Sequence, residues 1–216
     1  FFFFSFSFSS FSGTSLSFAE LCVVVYSLRL GFFLVFRVFV VGEDKRFVVI
    51  RTRFFSFLKF FLLQIVAVVV MSLPILLGTS GRSFNDSPLV HILCLSFIAL
   101  ETIADVTKMV FKQRNGGLCT IGVWKYSRHP NYLGSIGTWW CVYLMSYDSI
   151  YLSIVCLLSP ISITLLLLYV SGIPLVEKGW RKKYGNDEEY KEYIRTTSPL
   201  LLCPPQLYAY ITKMIK

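Results

Sequence analysis

Charged side chains are scarce in this sequence. Only 15% of its 216 residues are Asp, Glu, Lys or Arg, whereas 55% are hydrophobic. Soluble globular proteins carry roughly 25% charged residues, so too few polar side chains are present to cover a water-soluble core of this size. A disordered chain is excluded as well, because this much apolar surface must be buried somewhere. The remaining place is a lipid bilayer, and the sequence therefore predicts a membrane protein.

The motifs of common metal and nucleotide sites are also missing. The six cysteines form no C-x-x-C pair and only two histidines are present, so no zinc site or other metal is expected. Without a G-x-G-x-x-G or Walker motif, a Rossmann or P-loop site is excluded. The net charge of +9 comes from basic residues that separate long apolar runs, as topology signals do. No nucleic-acid partner is expected.

The first 17 residues are almost wholly Phe and Ser, without helical periodicity or the regions of a signal peptide. The chain begins with Phe rather than Met, and we expect it to be part of a longer protein. Residues 1–17 are set apart as a biased segment, an artefact or disordered. Residues 18–216 are predicted to form the membrane domain.

Five apolar segments approach the length that crosses a bilayer core, about 20 helical residues. They run over about 16–41, 54–77, 88–110, 132–147 and 150–173. The fourth segment is short, and Asp148 separates it from the fifth, so these two are predicted to form a helical hairpin. The predicted fold is all-α, a polytopic membrane bundle of about five transmembrane helices.

The distribution of basic residues predicts the orientation. They gather in three segments, namely 43–53, 108–128 and the tail after residue 173. With five spans, all three segments lie on one side of the membrane. The opposite loops, 79–87 and 147–149, contain a single basic residue, Arg82. Because cytoplasmic loops carry an excess of Lys and Arg, the basic side is predicted to be cytoplasmic.

The tail from about residue 174 differs from the rest of the chain, since Lys, Glu and Tyr are frequent in 177–197. Their spacing predicts a cytoplasmic helix that lies against the membrane surface, with Tyr193 among the tyrosines that face inward. Three prolines within 199–205 are expected to end this helix.

Two acidic residues lie within the third apolar segment. Glu101 and Asp105 are four positions apart and therefore share a helix face. A charge in hydrocarbon costs at least ~2.5–3.5 kcal/mol, so both are expected to face the bundle interior or a wet cavity. A structural ion pair is the simpler alternative for Glu101, whereas a site role is favoured for Asp105.

Polar and aromatic residues are densest in 122–134, Gly-Val-Trp-Lys-Tyr-Ser-Arg-His-Pro-Asn-Tyr-Leu-Gly. Pro130 holds His129 in an extended conformation and suits the first turn of the next helix. The N-terminus of that helix presents N–H groups and a positive dipole end, which together with Arg128 predict an anion site. A simple juxtamembrane anchor is the alternative.

The string Ser-Arg-His-Pro-Asn-Tyr-Leu-Gly over 127–134 resembles the signature of the steroid 5-alpha-reductase C-terminal-domain family, especially its uncharacterised membrane branch. It is also similar to the sterol double-bond reductases and, through Arg-His-Pro, to the isoprenylcysteine carboxyl methyltransferases. The likeness extends over about residues 20–202 and includes Gly-Glu-Asp-Lys-Arg-Phe at 42–47 and Ser-Gly-Ile-Pro-Leu at 171–175. These motifs are specific for the superfamily and do not choose among its chemistries.

This resemblance implies an enzyme whose C-terminal half holds a cofactor from the cytoplasmic side. That cofactor is NADPH in the reductases and S-adenosylmethionine in the methyltransferases. The resemblance implies cofactor contacts at Asp105, Arg114, Arg128, His129, Asn131, Tyr132, Glu177 and Tyr193. It assigns no catalytic residue. In one departure, Ser135 stands where the reductases usually have an acid.

The leading hypothesis is an oxidoreductase that uses NADPH to reduce a carbon–carbon double bond in a steroid, sterol or other lipid-like substrate. The alternatives are an S-adenosylmethionine-dependent methyltransferase of the isoprenylcysteine type and a non-catalytic membrane homologue. The expected partners are a hydrophobic small molecule or lipid and the surrounding membrane lipids. The resemblance implies the endoplasmic reticulum, with the basic loops and the C-terminus in the cytoplasm.

Overall fold

The computed structural model describes residues 17–41, 54–78, 87–146 and 150–214. Its α-helices are α1 (Phe18–Val41), α2 (Phe54–Gly78), α3 (Pro88–Arg114), α4 (Pro130–Met145), α5 (Ile150–Cys156), α6 (Leu158–Leu165), α7 (Ile173–Tyr184), α8 (Glu188–Thr196) and α9 (Pro205–Met214). A 3-10 turn over Gly122–Lys125 precedes α4, and a π-helical turn over Leu166–Val170 follows α6. The described residues contain no β-strand, which confirms the predicted all-α class.

Within the described ranges, four helical segments are long and apolar enough to cross a membrane. These are Phe18–Val40, Phe57–Leu77, Pro88–Arg114 and Ser153–Tyr184. The chain is thus a helical membrane protein, as predicted. The fourth predicted segment forms α4, which has 16 residues and is not among these four. At 1.5 Å per residue α4 is about 24 Å long, less than the ~30 Å of the hydrocarbon core.

The start of α1 is fixed by a capping box. The backbone N–H of Glu20 donates to Ser17 Oγ at 3.3 Å, and the backbone N–H of Ser17 donates to Glu20 Oε2 at 2.8 Å. Both N–H groups would otherwise lack a partner at the helix end. This places the first helical residue at Phe18, close to the predicted start at about residue 16.

The described residues belong to two compact units. The first contains the residues up to Cys94 together with Trp139–Ser162. The second contains Leu95–Thr138 and the chain from Ile163 onward. All eight residues with an implied cofactor contact therefore belong to the second unit. The biased segment 1–17 lies outside the described residues except for its last position.

In the first unit, polar side chains join α2 to the two helices that follow α4. Ser159 Oγ donates to the carbonyl of Met71 at 2.9 Å, and Cys156 Sγ donates to the carbonyl of Leu73 at 3.7 Å. Both acceptors precede Pro74, through which α2 continues to Gly78. Such bonds matter in a membrane, because lipid is as apolar as the helix surfaces and provides no hydrophobic driving force between them.

The core of the second unit consists of Ala104, Cys119, Trp124, Trp180 and Tyr193. Trp124 Nε1 donates to the carbonyl of Ala104 at 2.9 Å, and Tyr193 Oη donates to the carbonyl of Trp124 at 2.7 Å. Buried Trp and Tyr thus pair their polar tips while their rings fill the core. The 3-10 turn is thereby fixed between α3 and α8.

Two glycines of α4 allow its backbone to approach α3. A Cβ atom at Gly134 would lie 2.7 Å from Glu101 Cβ, and one at Gly137 would overlap the ring of Phe97. Small residues at a helix interface permit this separation, and larger ones would force the helices apart. The close contact brings the first turn of α4 next to the face of α3 that carries Glu101 and Asp105.

The tail contains more helices than the single one predicted over 177–197. Helix α7 ends where the Gly185 N–H donates to the Arg181 carbonyl at 3.0 Å, and α8 begins after Asp187. The inward orientation of Tyr193 is confirmed, since the residue is 7% exposed. Pro205 was expected to terminate helix and instead begins α9, because a first helical position needs no N–H donor.

Candidate functional site

The loop that precedes α4 is attached to the segment that follows α8. Residues 126–128 are hydrogen-bonded to residues 198–203 at three points, and at one of them the Arg128 N–H donates to the Ser198 carbonyl at 2.8 Å. Pro130 then begins α4. Arg128 and His129 are therefore held at the first turn of α4 by backbone contacts on both sides.

One carboxylate oxygen serves both of these side chains. Glu177 Oε1, from α7, lies 3.0 Å from Arg128 Nη1 and 3.3 Å from His129 Nε2. Arg128 is 8% exposed and His129 is 1% exposed. Charge-assisted hydrogen bonds of this kind fix direction as well as distance. Glu177 thus sets the orientation of two neighbouring residues in the predicted anion site.

The His129 imidazole lies between two aromatic rings. Its centroid is 5.2 Å from that of Tyr132 and 5.1 Å from that of Trp180, with interplanar angles of 1° and 5°. Burial lowers the pKa of His129 below its ordinary value, although the hydrogen bond to Glu177 acts in the opposite direction. At pH 7 the ring is therefore neutral, and its Nε2 carries the hydrogen because a carboxylate only accepts.

Asn131 connects α4 to α3. Its Nδ2 donates to Asp105 Oδ1 at 3.3 Å, which gives Asp105 a position beside the cluster. The buried Oδ1 of Asn131 and the buried Nε of Arg128 have no hydrogen-bond partner in the described part of the chain. Buried polar atoms are nearly always paired, so an acceptor and a donor here are available to a ligand.

Two of the eight residues with an implied cofactor contact lie apart from the cluster around Arg128, His129 and Glu177. Arg114 is exposed at the last position of α3. Tyr193 is buried, and its hydroxyl is bonded to the Trp124 carbonyl, a structural contact. Burial raises the pKa of Tyr193, so the hydroxyl stays protonated. In the described ranges no three His, Cys, Asp or Glu side chains are placed to hold a metal ion.

A cavity of about 110 Å³, which we call the lysine cavity, lies in the same unit. It is lined by Lys108, Lys112, Gly117, Leu118, Cys119, Trp124, Gly179, Trp180, Lys183 and Tyr184. Trp180 borders it and also stacks on His129, so the cavity adjoins the cluster. In the sequence these lysines belong to the basic segments 108–128 and the tail, where they contribute to the overall positive charge. Lys108 and Lys112, one helical turn apart before Asn-Gly-Gly, were the available signal.

A protein-family profile matches residues 3–197, and its description is "Protein of unknown function (DUF1295)". The match covers well over half of the chain. The chain belongs to the DUF1295 family. No match was found among curated proteins or among solved structures.

The DUF1295 match includes every residue of the cluster and every residue that lines the lysine cavity. It ends at Thr197 and so excludes residues 198–203, which hold the loop before α4. The DUF1295 description states no activity, and the chemistry must be argued from the site itself.

Proposed function

We propose that this DUF1295 protein is a membrane-bound reductase that uses NADPH to reduce a carbon–carbon double bond in a steroid, sterol or other lipid-like substrate. The proposal is carried by the cluster of Arg128, His129, Asn131 and Glu177, in which two buried polar atoms lack partners. Such atoms favour a ligand at this place. The resemblance of 127–134 to the steroid 5-alpha-reductase signature supports NADPH as that ligand.

The chemistry of the cluster fits this cofactor. The Arg128 guanidinium suits a phosphate or carbonyl oxygen, and the Asn131 Oδ1 suits an amide N–H. When bound, the cofactor supplies a hydride to the substrate. The chain's own residues bind and orient it: Glu177 fixes the direction of Arg128, and neutral His129 donates to Glu177 without adding a second buried charge.

Charge favours NADPH over S-adenosylmethionine. NADPH carries several phosphate charges, whereas S-adenosylmethionine carries a positive sulfonium and no phosphate. The three lysines of the adjoining cavity attract the former and repel the latter. A non-catalytic homologue is disfavoured. Each buried polar atom without a partner lowers the stability of the folded protein by about 1–3 kcal/mol, and a protein that binds no ligand would gain nothing in return.

We also propose that the basic side faces the cytoplasm and that the compartment is the endoplasmic reticulum. Residues 126–128 and 198–203 are hydrogen-bonded and so lie on one side of the membrane, which requires an even number of crossings between them. The candidate span Ser153–Tyr184 then needs α4 as a second crossing. Two crossings between these residues support the hairpin predicted from the sequence. They also leave the basic segment 108–128 and the tail on the same side of the membrane.

Calorimetry on the full chain in lipid nanodiscs tests the proposed activity. The wild-type protein should bind NADPH. Asn131→Leu should lower the affinity for NADPH about tenfold or more, because the hydrogen bond between the buried Asn131 amide and the cofactor is lost. Arg114→Ala is the matched control and should change the affinity little, since Arg114 is exposed and outside the cluster. Binding of S-adenosylmethionine alone would favour the methyltransferase. Binding of neither compound would favour the non-catalytic homologue.

A further inference from the structure

Helix α9 has an exposed apolar side, which we call the α9 face. It consists of Leu207, Tyr210, Ile211 and Met214, which are 50%, 62%, 41% and 71% exposed. The last three follow the first by three, four and seven positions, which brings all four side chains onto one side of the helix. A helix with one apolar side is amphipathic, and it normally buries that side against a partner.

The other side of α9 faces the protein. Tyr208, Ala209 and Thr212 are half-buried, and the rotation per residue of an α-helix places them opposite the α9 face. The Thr212 hydroxyl donates to the Tyr208 carbonyl at 3.0 Å and so stays on this side. Helix α9 also contacts α8. The α9 face is therefore not the side through which α9 attaches to the second unit.

The start of α9 is held close to the start of α4. The Cys203 N–H donates to the Tyr126 carbonyl at 3.0 Å, and α9 begins two residues after Cys203, at Pro205. Helix α4 begins at Pro130 and is the second crossing proposed above. Its first turn then lies where the chain enters the bilayer, and α9 starts within reach of the bilayer surface.

Charge and residue type favour lipid as the partner of the α9 face. The sequence after Arg195 contains two lysines, Lys213 and Lys216, and no aspartate or glutamate. Lys213 and Gln206 are exposed seven positions apart, on the flank of the α9 face. Helices that lie in a membrane interface have this arrangement, with basic side chains among the headgroups and apolar ones at the acyl boundary. The amphipathic ring of Tyr210 suits the same layer.

The size of the α9 face argues against a second copy of the chain as the partner. Helix α9 has 10 residues, so it is about 15 Å long, and one side of it covers less than about 200 Å². Each partner in a stable protein interface buries about 800 Å². Contact with the bilayer needs no such area, because the membrane-spanning helices already hold α9 near it and make the contact intramolecular.

We propose that α9 lies in the surface layer of the bilayer that the chain spans, with the α9 face inserted at the boundary between headgroups and acyl chains. Lipid contact then fixes the start of α9 and, through it, the segment 198–203. This segment holds the loop before α4, since the Ser198 carbonyl accepts from the Arg128 N–H. The bilayer surface thus becomes a partner that keeps Arg128 in place.

Nitroxide labels on the full chain in nanodiscs measure the depth of α9. Leu207→Cys and Gln206→Cys, each in a Cys203→Ser background, carry the label, since the other native cysteines are buried. The ratio of collisions with oxygen to collisions with a water-soluble nickel complex should be several-fold higher at 207, because only oxygen enters the acyl layer. Equal ratios would overturn the proposal. Dipolar coupling between labels at 207 in discs with two chains would assign the α9 face to a second copy and also overturn it.

Hydrogen exchange in nanodiscs tests the coupling to the loop. Leu207→Ser should accelerate exchange of the Arg128 and Cys203 amides about tenfold or more, because a Leu side chain no longer anchors α9 in lipid. Gln206→Ser is the matched control, since Gln and Leu have similar helix propensities and Gln206 lies outside the α9 face. Equal exchange in the two variants would overturn the proposal. Neither measurement involves a cofactor, so the proposed reductase is tested separately.

Discussion

Glu177 is the residue on which the geometry of the cluster depends. Its single oxygen contacts Arg128 and His129 together, so any movement of α7 changes the orientation of both side chains. Arg128 and His129 could be selected from the sequence because they form a compact motif in front of a helix. Their shared partner, Glu177, lies 48 positions after His129, and only the resemblance to a family indicated it.

The neutral state of His129 predicts that the free energy of unfolding depends on pH. The pKa of His129 is lowered in the folded protein, so the unfolded chain takes up a proton first as the pH falls below about 6.5. The contribution of His129 to the free energy of unfolding is therefore intact above that pH and is lost on acidification. Between pH 7.5 and 5.5 the loss should reach about 1.4 kcal/mol at most.

Unfolding of the nanodisc-reconstituted chain at the two pH values measures this loss. His129→Phe keeps a ring between Tyr132 and Trp180 and cannot titrate, so its stability should depend less on pH than that of the wild type. Identical pH dependence in both proteins would show that another group is responsible.

Residue type alone did not reveal the lysine cavity. Lysines near a membrane usually serve as topology signals, and the sequence gives no reason to separate Lys183 from Lys182. The distinction arises only when α7 is placed beside α3, because one side chain then lines the cavity and its neighbour does not. Contacts between distant helices are the part of the site that local patterns cannot supply.

At the scale of the elements, the α3–α4 contact predicts a strong effect of small substitutions. Gly134→Ala and Gly137→Ala should each destabilise the protein by about 1–3 kcal/mol, because the added methyl group meets Glu101 or the Phe97 ring. Gly31→Ala in α1 is the control, since a Cβ there has no heavy atom within 4 Å. Thermal unfolding of the three variants compares them directly. Equal melting temperatures for all three would contradict the packing argument.

The positions of helices with a strong apolar pattern could be predicted from the sequence, whereas the division of the tail into helices could not. Helices α1, α2 and α3 begin within two residues of the predicted positions or at them, because their length and composition leave few alternatives. The tail is polar and short of apolar residues, so its division at 185–187 depends on the packing of Trp180 and Tyr193 into the core of the second unit. Tertiary contacts decide where such segments break.

For the whole molecule, the proposed orientation predicts where two exposed positions lie. Asn115→Cys and Gln206→Cys, each in a Cys203→Ser background, should react with a membrane-impermeant maleimide in sealed microsomes whose cytoplasmic face is outward. Both sites should be labelled before detergent is added, because basic segments stay on the cytoplasmic side. Labelling of only one site before detergent would contradict an even number of crossings between them.

The bonds between 126–128 and 198–203 also have a consequence for truncated forms of the protein. The residues proposed to contact the cofactor lie before Thr197, while the acceptor that positions Arg128 lies after it, at Ser198. A variant cut after Thr197 would retain every proposed cofactor contact and lose the hydrogen bonds that hold the loop before α4. Its affinity for the cofactor should therefore fall although every residue of 127–134 is still present.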